Sequence, residues 1–169
     1  ALTAAENAAV LLKNDGPILP GTAGQRAAVI GAFAKKARYQ GAGSSKVNPY
    51  VLDCAYDAFL ESGMAFDYAD GYSPDGGAVR DDLIEEAVGK AKGKDVVYIF
   101  AGLPDSFESE GFDRVSMKLP ESHNRLIEEV AKENPNVVVV LQGGSAMELP
   151  WAGRVKAILL VYLGGSRGG

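Results

Sequence analysis

Apolar residues in this chain gather in dense runs, separated by stretches where they recur every three or four positions. The runs at 27–32, 96–101, 137–141 and 157–163, rich in Val, Ile and Ala, predict strands buried on both faces, with a weaker one at 65–69. Between them, Leu83, Ile84, Ala87, Val88 and Ala91 follow the spacing of one helix face. Leu126, Ile127, Val130 and Ala131 do the same, with Pro120 and Glu121 at the helix start. Val51, Leu52, Ala55, Phe59 and Leu60 mark a third helix, opened near Asn48-Pro49 and closed by Gly63. Thr3 to Leu12 predicts a further helix, broken by Asn14-Asp15-Gly16-Pro17. Strands alternating with helices make an α/β fold: a doubly wound three-layer α/β/α sandwich on a mostly parallel sheet of five or six strands.

Its 169 residues suit a single domain. Composition alters the picture little, since 47% hydrophobic and 23% charged residues are ordinary for a globular chain. A net charge of -5 with scattered Lys and Arg argues against nucleic acid or a polybasic membrane patch as partner. No apolar stretch approaches the ~20 residues of a membrane-spanning helix. The first residues show no signal-segment pattern, and the compartment stays open. Cys54 stands alone, so an intramolecular disulfide is excluded and a small core filler expected. His123, the only histidine, rules out a His-rich metal site and is expected at the surface or in a capping role. Trp151 is expected to be buried against the sheet.

Two loops carry candidate chemistry. Tyr39-Gln40-Gly41-Ala42-Gly43-Ser44-Ser45-Lys46 has glycines that would let a ligand approach, with Ser44 or Ser45 to donate a hydrogen bond to a polar, hydroxyl-rich molecule. Lys46 stands where a dinucleotide fingerprint needs its third glycine, and eight residues separate the loop from its strand. No Gly-Lys-Ser/Thr ending makes it a P-loop. Phe107-Glu108-Ser109-Glu110-Gly111-Phe112-Asp113-Arg114 follows the strand at 96–101, where open α/β sheets keep their working loops. Its carboxylates would either serve a ligand or pair among themselves, and Arg114 is expected to pair with Asp113 or a neighbouring carboxylate.

These segments, taken in order, resemble the C-terminal α/β sandwich domain of family 3 glycoside hydrolases. The resemblance runs through Glu6 to Asp15, Ile18-Leu19-Pro20, Val29-Ile30-Gly31, Gly41 to Ser45, Asp95-Val96-Val97, Ser109 to Arg114, Leu119-Pro120, Val137 to Val140 and Pro150-Trp151. It closes on Leu163 to Gly169, where Ser166-Arg167 replaces the family's usual glutamine or acidic residues. The resemblance implies a retaining, exo-acting β-glycosidase whose N-terminal (β/α)8 barrel holds the nucleophilic aspartate. Residues 1–169 would be one sandwich domain of that larger enzyme, inactive alone, with the barrel and a β-linked glycoside as its partners and no cofactor. It further implies Glu110 as general acid/base, with Glu108 as the nearby competitor, and Ser44 and Ser45 at the sugar of the first subsite. A proton donor in such a pair of carboxyl groups needs a raised pKa. The alternatives are a flavodoxin-like nucleotide-binding module and a structural domain without catalytic residues.

Overall fold

Three of the four dense apolar runs lie where no residue faces water. In the computed structural model, which describes residues 1–111 and 113–168, β2 (Ala27–Ile30), β4 (Val96–Gly102) and β5 (Val137–Gln142) are buried at every position. Phe112 and Gly169, part of the acidic loop and of the closing glycine turn, lie outside the described residues. With β1 (Val10–Asn14), β3 (Phe66–Ala69) and β6 (Ala157–Tyr162) these strands form one six-stranded sheet in the order β1-β6-β5-β4-β2-β3. All neighbours run parallel except β1, which is antiparallel to β6.

Side chains alternate across the central strands and define two apolar faces. Tyr98 and Phe100 project toward α2 (Ala55–Glu61), where the Phe59 ring lies 5.1 Å from Tyr98 and 6.4 Å from Phe100, centre to centre. Ile30 and Ile99, opposite one another in the register, project the other way. There α4 (Glu121–Glu133) packs beside α3 (Asp81–Ala91), and Leu126 of α4 and Ile30 both close on Gly71. This is the three-layer sandwich expected from the alternation. The short α2 leaves a groove of about 410 Å³ beside it, lined by Phe59, Tyr98, Val140, Leu159 and Val161 among others. At the exit of β2, Gly31 adopts φ +108°, and a Cβ there would stand 2.1 Å from the Phe100 carbonyl oxygen. Only glycine lets the two backbones run so close.

Three sequence-based expectations are corrected. The helix expected over Thr3 to Leu12 ends at Ala8, since α1 is Leu2–Ala8 and Val10 to Asn14 are β1. Without β1, β6 would be an edge strand with a row of unpaired backbone groups, and β1 satisfies them, Val10 opposite Leu160 and Asn14 opposite Ala157. The helix expected to open near Asn48-Pro49 begins at Ala55, because the preceding segment is drawn toward the C-terminal turn. Asp53 donates its N–H to the Ser166 carbonyl at 3.0 Å, and its carboxylate meets Arg167 at 3.1 Å.

His123 is no surface residue. It is fully buried on α4, stacked 3.8 Å from the Tyr72 ring and 5.4 Å from Phe33, and its Nδ1 accepts the Gly102 N–H at 3.3 Å. The clue was there: 123, 126, 127 and 130 share one helix face. Trp151 and Cys54 are buried as expected, and the indole donates to Asn124 at 2.9 Å.

Burial holds the His123 imidazole neutral, with its pKa pushed down to about 3. The unfolded chain can protonate this residue below about pH 6.5, whereas the folded one cannot until near pH 3. Its contribution is therefore complete above pH 6.5 and is lost as the pH falls toward 3, by at most about 1.4 kcal/mol per pH unit. We expect urea-unfolding free energies measured from pH 6.5 to 5 to fall less steeply in His123→Gln than in the native chain. Equal slopes would show that the imidazole is not held neutral.

Candidate functional site

The chain leaves β2 toward β3 on one side of the sheet, whereas β4 is followed by β5 on the other. The loops after β2 and β4 therefore part at the carboxyl edge, the place where open α/β sheets form a ligand crevice. Residues 31–54 make one loop and residues 103–120 the other. The two candidate motifs thus come from strands that are direct neighbours.

Glu110, at the exposed tip of the second loop, reaches across to the first. Its carboxylate accepts the Ser44 backbone N–H and the Ser44 hydroxyl, both at 2.9 Å. Gly43 makes room for this contact: it has φ +97°, and a Cβ there would lie 2.8 Å from the Glu110 side chain. Lys46 adds a second tie between the loops through an ion pair with Asp105. Ser45 is exposed beside Gly41. The structure brings together Ser44 and Glu110; Ser45 does not share that contact.

Glu108 occupies a different post from Glu110. Its largely buried carboxylate accepts from the Gly144 N–H at 2.9 Å and the Ser145 hydroxyl at 2.5 Å, and it stands 3.7 Å from the Arg38 guanidinium. Those contacts tie the acidic loop to the one following β5. Among the described residues Arg114 pairs with neither Asp113 nor another carboxylate, contrary to expectation. Its guanidinium donates to the Ser145 hydroxyl at 2.9 Å, the Ala146 carbonyl at 2.8 Å and the Lys118 carbonyl at 3.3 Å. A hydroxyl and a carbonyl of the loop after β5, and a carbonyl of its own loop, take its terminal nitrogens instead, and its Nε finds no partner among the described residues. Ser145 thus joins Glu108 to Arg114, and both flanks of the Glu110 tip are secured.

The charge state of Glu110 in this chain is set by Ser44. A general acid needs a raised pKa, but here two donors from Ser44, the backbone amide first, hold the Glu110 carboxyl below the ordinary glutamate range. It is fully exposed and has no second carboxylate pressing on it. In this arrangement Glu110 is an ionised hydrogen-bond acceptor. Sequence reasoning missed Arg38, Lys46, Asp105 and Ser145, whose side chains hold the two loops. Nothing in their spacing announces it, apart from the position of Arg38 soon after a buried strand. Among the described residues, no group of three His, Cys, Asp or Glu side chains could hold a metal ion.

Comparison with known proteins gives this geometry a family context. Residues 9–169 match the glycosyl hydrolase family 3 C-terminal domain. The chain is 47% identical over 165 residues to the thermostable beta-glucosidase B of Acetivibrio thermocellus, covering 96% of this chain and 22% of that protein. It is 44% identical over 176 residues to an exo-alpha-(1->6)-L-arabinopyranosidase of Bifidobacterium longum, covering 98% and 23%. The crystal structure of a GH3 beta-glucosidase from Bifidobacterium adolescentis superimposes with a TM-score of 0.94 at 44% identity, over 99% of this chain and 25% of that one. The chain thus spans about a quarter of the length of these relatives.

The Ser44–Glu110 contact can be read directly in solution. In a carboxyl-detected NMR titration, Glu110 is expected to titrate below the exposed glutamates that lack such donors. Ser44→Ala, which removes one of the two donors, should move it part of the way back. A Glu110 titration that Ser44→Ala leaves unchanged would show that the carboxylate does not rest on this loop.

Proposed function

We propose that this chain, which belongs to the C-terminal domain of glycosyl hydrolase family 3, supplies the general acid/base and part of the sugar pocket of a retaining, exo-acting β-glycosidase. The observation that carries this reading is the pairing of Glu110 with Ser44 across the carboxyl edge of the sheet. A carboxyl group at a loop tip, beside a hydroxyl and a glycine-cleared approach, is what proton transfer to a bound sugar requires. The N-terminal barrel of the same polypeptide would bring the nucleophilic carboxylate. Tyr50 and Val115, fully exposed apolar side chains on the two loops, would lie against it.

In the proposed cycle Ser44 exchanges its carboxylate partner for a sugar hydroxyl. Glu110, released and placed beside a second carboxylate, binds a proton more tightly, because two neighbouring carboxyl groups resist simultaneous ionisation. It then protonates the leaving oxygen while the nucleophile attacks the anomeric carbon. Afterwards it draws a proton from the water that releases the sugar. The relatives' names make a β-glucoside the first substrate to try and an α-L-arabinopyranoside the second. The strand order would also suit a nucleotide-binding module, but the Ser44 amide, the natural phosphate donor, already holds an anion.

Full-length enzyme carrying Glu110→Ala is expected to lose about 10²- to 10⁴-fold in rate on glucosides with poor leaving groups. Dinitrophenyl glucoside, which needs no proton, should still form the glycosyl-enzyme, and azide should then restore turnover. Glu108→Ala should show neither pattern. Full activity of Glu110→Ala on poor leaving groups would reduce this domain to scaffolding. The 169-residue chain alone is expected to leave aryl glucosides intact.

A further inference from the structure

Arg38 carries a charge into the interior of the domain, where an arginine persists only if its donors are met. It is 6% exposed. Its own backbone is anchored to the sheet, since the Arg38 N–H donates to the Gln142 side-chain oxygen at the end of β5 at 2.7 Å. From that anchor the guanidinium reaches both candidate loops. One nitrogen donates to the Gln40 carbonyl, the residue immediately before Gly41, and another to the Glu108 carbonyl at 3.2 Å, two residues before Glu110. Its Nε makes no hydrogen bond among the described residues but stands 2.9 Å from the Asp105 carboxylate as an ion pair, and Asp105 also holds Lys46, two residues after Ser44. The Glu108 carboxylate completes the surroundings at 3.7 Å.

We infer that Arg38 is the positioning residue that sets Ser44 and Glu110 opposite one another, a role that rests on the proposed function of that pair. Among the described residues, neither 40–46 nor 103–111 holds a helix or strand to fix this distance. Of the described side chains, Arg38 is the one that donates to backbone carbonyls of both segments, and its own backbone is pinned to the central sheet through Gln142. A fork is required: a guanidinium has five N–H donors in fixed directions, whereas a lysine ammonium is a point charge on a flexible stem. Arg38 does not itself face the exposed tip, so it acts through the loop backbones and is not a catalytic group. Displacing the carboxyl group would harm proton donation selectively. Sugar binding and nucleophilic attack would be touched less.

The test is the leaving-group dependence of Arg38→Lys in the full-length enzyme, with Glu110→Ala measured alongside. Arg38→Lys should lower kcat/KM on poor leaving groups by about 10²-fold, as a misplacement of about an ångström would. On dinitrophenyl glucoside it should change by less than about threefold, because that substrate needs no proton. In the 169-residue chain, the Glu110 carboxyl should titrate closer to ordinary glutamate in Arg38→Lys than in the native chain. Loss of activity by the same factor on every substrate, or no loss, would overturn the inference. If Arg38→Lys does not fold, Asp105→Asn, at an exposed position, loosens both Arg38 and Lys46 and should show the same selectivity more weakly; equal effects on all substrates would again overturn it. Should Glu110→Ala itself show no leaving-group dependence, the proposed function falls, and the titration still decides whether Arg38 holds the pair.

Discussion

The parallel pairing of β2 with β4 is the constraint from which the remaining structure follows. Val29 sits opposite Tyr98 and Ile30 opposite Ile99, with no side chain of either strand left to water. Two parallel neighbours cannot be joined by a tight turn, so the chain must cross over and cover a face. It does so in both directions, and each face acquires its own helices. The same pairing directs both strands to one edge, and the loops with glycine, serine and glutamate emerge side by side. A sheet of other order would have kept Ser44 and Glu110 apart whatever their sequence motifs.

Charge at that edge is managed in two tiers. Below, Arg38, Asp105 and Glu108 form a cluster whose central guanidinium is shielded from water and bonded to backbone carbonyls. Stripping a charge of water costs several kcal/mol, and here two carboxylates and two backbone carbonyls around the guanidinium offset that cost. Above, Ser44 and Glu110 meet in solvent, where a hydrogen bond contributes little to stability. The lower tier can therefore be rigid while the upper one exchanges partners, as a ligand site needs.

Much of this was legible in the chain. Four dense apolar runs became strands, and the two strongly periodic segments became α3 and α4, because burial on two faces and burial on one face leave different spacings. The failures are local. Val10 to Leu12 continue the apolar density of α1, and only the open edge of β6 turns them into a strand. Val51 and Leu52 continue a helical spacing, yet the contacts of Asp53 with Ser166 and Arg167 keep them out of the helix. His123 belongs to the apolar stripe of α4, but a polar residue type concealed it. In the first two cases a partner remote in sequence outweighed a local preference; in the third the helix face outweighed the residue type.

The sequence by itself determined the alternation of strands and helices, the burial of the central strands and the loops where chemistry could sit. It did so because hydrophobic periodicity is a local record of how many faces an element hides. It also held the ordered motifs by which the family is recognised. Only the tertiary structure decided which groups meet: that Glu110 rests ionised on Ser44, that Glu108 is turned to Gly144 and Ser145, and that Arg38 lies buried between the two loops. Glu108 and Glu110 are chemically alike and two residues apart, so no pattern along the chain separates them. Their difference lies in which donors stand within 3 Å, and those donors come from residues tens of positions away.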